Sequence, residues 1–452
     1  MNKSICMLFM ALSLVYTNIF TDDLRGADDR ILLRVYNYLD SAAAHSEEEI
    51  IRIWGAFEQA NPDIQIVRED LCNEAYHNKL QLYTAAESLP DIIYVWTSEK
   101  TKYLYGLGLL KNLSPLVIRD NLASLYHPAA LDPAAQSGGY LGVIPWGITS
   151  SHVFFVNKAV LKDAGLTPAK TYAELKAQAP ILKAKGYDTI LMANQDPWVM
   201  ASCLFSMLAG RFSGEDWEQN ILTGTAKFTD SNFVRALGFV KTLVDDGVLA
   251  PTTFTTSYGE VATQFAANKG AYFIDGDWRI NAFITDPYID HALIPPDEQR
   301  NIQLTVFPDI EGVYFNQSTS VMISNGWAMN AAIPAGSPKE AAAWRLITWL
   351  SGKEVQSYHL ETSGIATPSR IDIKIGTLQL EPLQKAGGKL SSKHLITTPV
   401  IDAVFDSRVY KVLTDGLHLI GLGLSAPEEV AEQVQRAFDQ WKAQAYPDIP
   451  KA

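Results

Sequence analysis

Hydrophobic positions switch between a strand period and a helix period along the first hundred residues of this chain. "ILLRVYNYLD" (31–40) is a continuous apolar run of the kind buried on both faces of a parallel sheet. Ser46 with Glu49 three residues later forms a capping box. It predicts a helix carrying Ile50, Ile51, Ile53, Trp54 and Phe57 that stops before Asn61 and Pro62. "DIQIVRED" reads as the next strand, residues 73–86 as the next helix, and "DIIYVW" (91–96) as a third strand. Strand, helix, strand, helix, strand predicts the start of a doubly wound parallel sheet.

The pattern then changes. "SGGYLGVIPWGITSSHVFFVNKAVLKDAG" (137–165) is a glycine-rich turn, a short strand, a Pro-Trp-Gly bend and a further strand, which suits a crossover between two lobes. Residues 158–270 are mainly helical, and "NKGAYFIDGDWRINAF" (268–283) brings a strand to two aspartates and a tryptophan. "NGWAMNAAI" is a later strand and "SPKEAAAWRLITWLSG" a helix. The last helix starts after Ser425, in a cap role, with Pro427 in its first turn.

At 452 residues the chain exceeds one ordinary core, so two domains or one large unit with a lobe is expected. A net charge of −13 without a basic run argues against nucleic acid and anionic membranes as partners. At the N-terminus Lys3 precedes an apolar run from Ile5 to Phe20, the form of a secretory signal, with an uncleaved anchor as the alternative. Cys6 falls in that leader, and Cys72 and Cys203 are expected to be buried free thiols. The eight histidines are scattered, and no HExxH, CxxC, Walker A or G-x-S-x-G pattern occurs, so no metal and no cofactor are expected.

Two readings compete for Asp275 and Asp277. Residues i and i+2 of a strand share a face about 6.5–7 Å apart, near the separation an inverting glycosidase requires. Such a pair must flank the scissile bond, which strand neighbours seldom do, and Asp277 also stands where a helix starting at Trp278 needs its N-cap. Ligands of open parallel sheets bind beyond the carboxyl ends of the strands. That rule selects Tyr38 and Asp40, then Trp96, Thr97 and Ser98, and by extension Trp146 and the Asp277–Trp278 corner. Trp198 and Trp327 also stand at strand ends or bends, whereas Trp54, Trp344, Trp349 and Trp441 fall at helical spacing among apolar residues and read as core.

Taken in order, "IIRIWGAFEQANPDIQIV", "LPDIIYVWTSEKTKYLYGLGLLKNLSPL", the crossover segment, "FAANKGAYFIDGDW" and "NGWAMNAAIPAGSPKEAAAWRLITWLSGKEVQSYHLETSGIATPSR" resemble the family 1 extracellular solute-binding proteins, the sugar-binding receptors of ABC importers. The resemblance implies an α/β fold of two doubly wound lobes joined by a multi-strand hinge, with the ligand cleft between them. It implies a leader over 1–27, the first part of lobe 1 over 28–150, mainly lobe 2 with hinge crossings over 151–325, and a hinge return with C-terminal helices over 326–452. It points to Trp278 after Gly276 as the cleft tryptophan, with Trp96, Thr97, Ser98, Tyr38, Asp40 and Trp327 bordering the site, and adds Asp196, Trp198 and Arg370. Asp275 is then a candidate acceptor for ligand hydroxyls. The implied partners are a small carbohydrate and the permease subunits of an inner-membrane ABC importer, met by a monomer in the periplasm or outside the cell. Many relatives carry a lipid-anchoring cysteine directly after the leader, and this chain has none. The same fold holding a glycerol phosphate ester or a peptide, and a secreted glycoside hydrolase using Asp275 and Asp277, are the alternatives.

Overall fold

The computed structural model describes residues 30–39, 46–96, 101–133, 136, 138–286, 289–362, 367–391, 393 and 395–445. Its strands are β1 (Ile31–Tyr38), β2 (Ile64–Leu71), β3 (Ile92–Val95), β4 (Val143–Ser150), β5 (Val153–Asn157), β6 (Asp188–Leu191), β7 (Gly270–Asp275), β8 (Ile302–Thr305), β9 (Ser318–Met329), β10 (Thr367–Pro368) and β11 (Ile396–Pro399). They form two sheets. The first has the order β10-β4-β9-β3-β1-β2, with β11 alongside β9, and the second the order β6-β7-β5-β8. As the first hundred residues predict, β1 lies parallel to both β2 and β3. The long β9 then runs antiparallel to both β3 and β4.

Each sheet is covered on both faces, and alternation along its strands divides the cores. From β1, Leu33 and Val35 pack with Trp54, Phe57, Trp327 and Trp344 on one side. Tyr36 joins Tyr76, Leu80 and Ile93 on the other. In β5, Phe154 and Val156 enter the large helical core, while Val153 and Phe155 meet Phe265, Phe273 and Phe283 opposite. Trp54, Trp344 and Trp441 are buried and Trp349 is half-buried against the same core as Trp54. Neither Cys72 nor Cys203 is in a disulfide; Cys203 is buried, but Cys72 is only half-buried because it precedes the surface helix Asn73–Ala85. Among the described residues no helix is long and apolar enough to cross a membrane.

The lobes are joined where β4 passes into β5 through Ser151 and His152, and where β8 passes into β9 through residues 306–317. Hydrogen bonds bind these two connections together. The Ser151 amide donates to Ser320 O at 2.7 Å, and the Thr319 hydroxyl donates to His152 O at 2.7 Å. His152 is fully buried; its Nδ1–H donates to Cys203 O at 2.7 Å and its Nε2 accepts from the Phe307 amide at 3.1 Å. That pair of contacts fixes a neutral tautomer, and burial lowers its pKa to about 3.

Arg211 clamps the second connection from the helix Ser206–Ser213. It is fully buried, and its donors reach Ser318 Oγ at 2.8 Å, Pro308 O at 2.9 Å, Phe307 O at 3.0 Å and Asn316 Oδ1 at 3.3 Å. These partners are neutral, and burial brings the guanidinium pKa down to about 10 against the pull of Asp309. The Arg211→Ala variant would strand these acceptors and open a cavity, so it should lose about 3–5 kcal/mol in chemical denaturation.

Glu218 is a buried carboxyl in the helix Trp217–Thr223 whose Oε1 has no partner among the described residues; burial raises its pKa to about 8. A raised acid pKa means the folded state holds the proton more tightly, so its contribution to stability is present below about pH 4.5 and is lost as pH rises towards 8. Glu218→Gln should therefore stabilise the fold near pH 8 by up to about 4 kcal/mol, seen as a higher Tm, and leave it nearly unchanged near pH 4.5. Equal effects at both pH values would refute this account.

Candidate binding cleft

The corner that ends β7 is built around an ion pair. Asp275 is fully buried, and its Oδ2 accepts from Arg279 Nε at 2.8 Å, four residues on. Its Oδ1 accepts from the Gly276 amide at 2.8 Å and from the Tyr258 hydroxyl at 3.3 Å. The Arg279 guanidinium lies 3.5 Å from the centre of the Tyr258 ring, and its Nη2 donates to Tyr258 O at 2.9 Å. Trp278 Nε1 donates to the Tyr258 hydroxyl at 2.7 Å. Gly276 is required here: a Cβ at that position would sit 2.3 Å from the Trp278 ring, which folds back over it. Trp198 completes the group, with its ring 5.2 Å from Tyr258 and 6.3 Å from Trp278. All three rings are half-buried, which leaves part of each for another molecule.

The first sheet presents a second aromatic group. Tyr38, at the end of β1, meets Trp96 edge-on at 6.0 Å and Tyr94 at 5.7 Å. Trp146 in β4 donates from Nε1 to the Tyr94 hydroxyl at 3.0 Å and packs against His359 at 4.8 Å. Trp96 donates from Nε1 to Met322 Sδ in β9.

One contact from each side reaches neighbouring positions of the strands that join the lobes. Thr149 pairs with Met322, the partner of Trp96, and Ser150 pairs with Val321. Ser150 is also where the second lobe reaches across, because its amide donates to Asp277 Oδ2 at 2.9 Å. Asp277 is the first residue of a 3₁₀ turn, Asp277–Ala282, and Gly276 occupies its N-cap. The expected cap role is therefore corrected: the carboxyl is drawn to Ser150, and burial raises its pKa to about 7.

Three further expectations are revised. Asp275 is withdrawn from ligand hydroxyls by Arg279 and by complete burial, and with Asp277 turned towards Ser150 the two do not form a facing catalytic pair. Trp327 is buried against Trp54 and Tyr94, because the part of the antiparallel β9 that meets Trp96 is at Met322, and Trp327 lies further along the strand. Arg370 is engaged by Asp372, through Nε and Nη2 at 2.8 Å each, and stacks over Tyr126 at 5.1 Å. Asp196 is exposed two residues before Trp198. Asp40, Thr97 and Ser98 lie outside the described residues. Tyr258 and Tyr94 were not picked out by sequence; Ser257 and Glu260 mark the start of the helix Tyr258–Ala266 but say nothing of where the Tyr258 ring goes, and Tyr94 is an inner residue of a strand. Among the described residues no group of three or more His, Cys, Asp or Glu is placed to hold a metal ion. An apolar groove of about 460 Å³ lies elsewhere, lined by Leu71, Ala75, Leu82 and Tyr83 among others.

Two α/β lobes joined by hydrogen-bonded crossings, with an aromatic group on each, define a two-lobed solute-binding protein. The family model for bacterial extracellular solute-binding proteins matches residues 43–357, and the chain belongs to that family. Among solved structures, a chitin oligosaccharide binding protein is 20% identical with a TM-score of 0.78, over 91% of this chain and 100% of that one. A protein solved in work on xylan utilization by the thermophilic bacterium Caldanaerobius polysaccharolyticus is 21% identical with a TM-score of 0.77, over 90% and 99%. The maltose/maltodextrin-binding domain MalE from Bdellovibrio bacteriovorus, bound to maltotriose, is 18% identical with a TM-score of 0.65, over 91% and 99%. At these identities the likeness is one of fold. No curated protein matches the chain in sequence.

Asp275→Asn would leave the Arg279 charge buried without its counterion. It should lower stability by about 3–5 kcal/mol in thermal or urea unfolding. A variant as stable as the parent would mean that the corner does not depend on this pair.

Proposed function

We propose that this chain is the sugar-binding receptor of an ABC importer, capturing a sugar or oligosaccharide between its lobes and presenting it, closed, to membrane permease subunits. The observation that carries this reading is a group of half-buried rings on each lobe, Trp198, Tyr258 and Trp278 on one and Tyr38, Trp96 and Trp146 on the other, with Trp96 reaching Met322 and Asp277, next to Trp278, reaching Ser150 on adjacent rungs of β9 and β4. Half-buried rings offer flat apolar faces to the C–H patches of a pyranose, while polar ring tips and nearby carboxyls and amides engage its hydroxyls. Rotation about the Ser151–His152 and 306–317 connections would close one wall on the other and bury the ligand. The chitin oligosaccharide and the maltotriose named for two of the solved structures support the same class of ligand.

A phosphate ester is less well served, since Arg279 and Arg370, the arginines nearest the candidate positions, are committed to Asp275 and Asp372. Hydrolysis is disfavoured because Asp275 is buried in an ion pair. We read the protein as a binding protein that makes and breaks no bond, working as an exported monomer in the periplasm or outside the cell.

Xylotriose, triacetylchitotriose and maltotriose form a direct test panel by thermal shift and tryptophan fluorescence. A true ligand at about 100 times its Kd should stabilise the protein by about 2.7 kcal/mol and leave the sugar intact by chromatography. Trp278→Ala should weaken binding about 100-fold, the loss of one buried stacking ring. Unchanged affinity in that variant would place the ligand elsewhere.

A further inference from the structure

Asp277 holds a carboxyl of which only one oxygen is engaged. The residue is 3% exposed; Oδ2 accepts the Ser150 amide, while Oδ1 has no hydrogen-bond partner among the described residues. A buried acceptor left without a donor costs about 1–3 kcal/mol, which marks the position as one completed by something other than the chain described. Among the described residues no side-chain cation neutralises it. The β4 strand that carries Ser150 has no titratable side chain, and Asp275 and Arg279 are paired with each other. The helix Pro382–Ser391, packed against the same turn, brings Lys385 and Lys389. None of these charges bears on the carboxyl: its shift arises from burial, opposed by the amides of Ser150, Trp278 and Asp277 itself. The residue immediately precedes Trp278 and is bonded to the last residue of β4 before the chain leaves the first sheet.

We propose that Asp277 Oδ1 accepts a hydrogen bond from a hydroxyl or N–H of the bound sugar, so that one carboxyl holds the ligand through Oδ1 and the strand joining the lobes through Oδ2. This rests on the sugar-receptor reading. It gives the cleft floor a selective requirement that stacking rings lack: the ligand must bring a donor to this point, and a sugar deoxygenated or O-methylated there is rejected.

Accepting a donor on Oδ1 favours the ionised carboxyl, so a group that is about half protonated near pH 7 in the empty protein loses that proton when the ligand arrives. Binding should therefore release about half a proton per sugar near pH 7. Affinity should fall about 20-fold between about pH 7.5 and 5.5, as the ionised fraction falls.

The test is isothermal titration calorimetry of the full chain with the tightest binder among xylotriose, triacetylchitotriose and maltotriose. Run near pH 7 in phosphate and in Tris, whose ionisation heats differ, the wild type should give different binding enthalpies in the two buffers. Asp277→Asn should abolish that difference and weaken binding about tenfold. Glu218→Gln, which removes another acid titrating near neutrality but outside the cleft, should keep the difference. Binding with equal enthalpies in both buffers and flat affinity from about pH 5.5 to 7.5 would overturn the proposal, and the wild type alone decides this if the Asn variant fails to fold. No binding heat with any of the sugars would instead count against the receptor reading.

Discussion

Ser151 and His152 are all that separates the end of β4 from the start of β5, and the hydrogen bonds of these two residues hold the lobes in register. His152 uses both ring nitrogens, one on Cys203 of the second lobe and one on Phe307 of the returning connection. A protonated ring could not accept from the Phe307 amide, so the joint exists only with the imidazole neutral. Arg211 then fixes the returning segment by neutral acceptors alone. A carboxylate partner would have drawn the guanidinium to one point; several carbonyl and hydroxyl partners hold a whole stretch of backbone instead.

The cleft inherits its geometry from this joint. β4 and β9 supply the rungs on which Trp96 and Asp277 converge, and both strands continue into the connections that His152 and Arg211 secure. Around that line the polar groups are divided by role. Asp275 and Arg279 are matched to each other and support the Tyr258 ring from beneath, while Tyr258 in turn sets the edge of Trp278. Rings positioned by hydrogen bonds at their rims keep a face open, and this allows a largely apolar wall to bind a polar solute with defined orientation.

Much of the fold was legible in the chain. β1 and β3 announce themselves because strands buried on both faces are largely apolar, while β2 lies at the sheet edge and keeps polar residues, and the first helix between them carries its own stop signal at Asn61 and Pro62. The site was only partly legible. Trp278 and Gly276 could be found together because the indole needs a residue without a Cβ beneath it. Trp146 and Trp327 looked alike as tryptophans beside strand bends, yet one reaches the Tyr94 hydroxyl and the other fills the core, since β9 runs opposite to β3. Tyr258 carried no signal, being a single ring at the start of a helix whose neighbours arrive from other segments.

The sequence by itself determined the alternation of strands and helices, the crossover at residues 137–165, and the tryptophan at the end of "FIDGDW". Those features depend on local periodicity and on steric demands between near neighbours. Only the tertiary structure decided what the two aspartates of that stretch do. Their spacing is the same in either reading, but Arg279 four residues on claims Asp275, and the Ser150 amide, 127 positions away in sequence, claims Asp277. A carboxyl takes its role from the donors that burial leaves within reach, and those donors are brought there by the joining of two lobes.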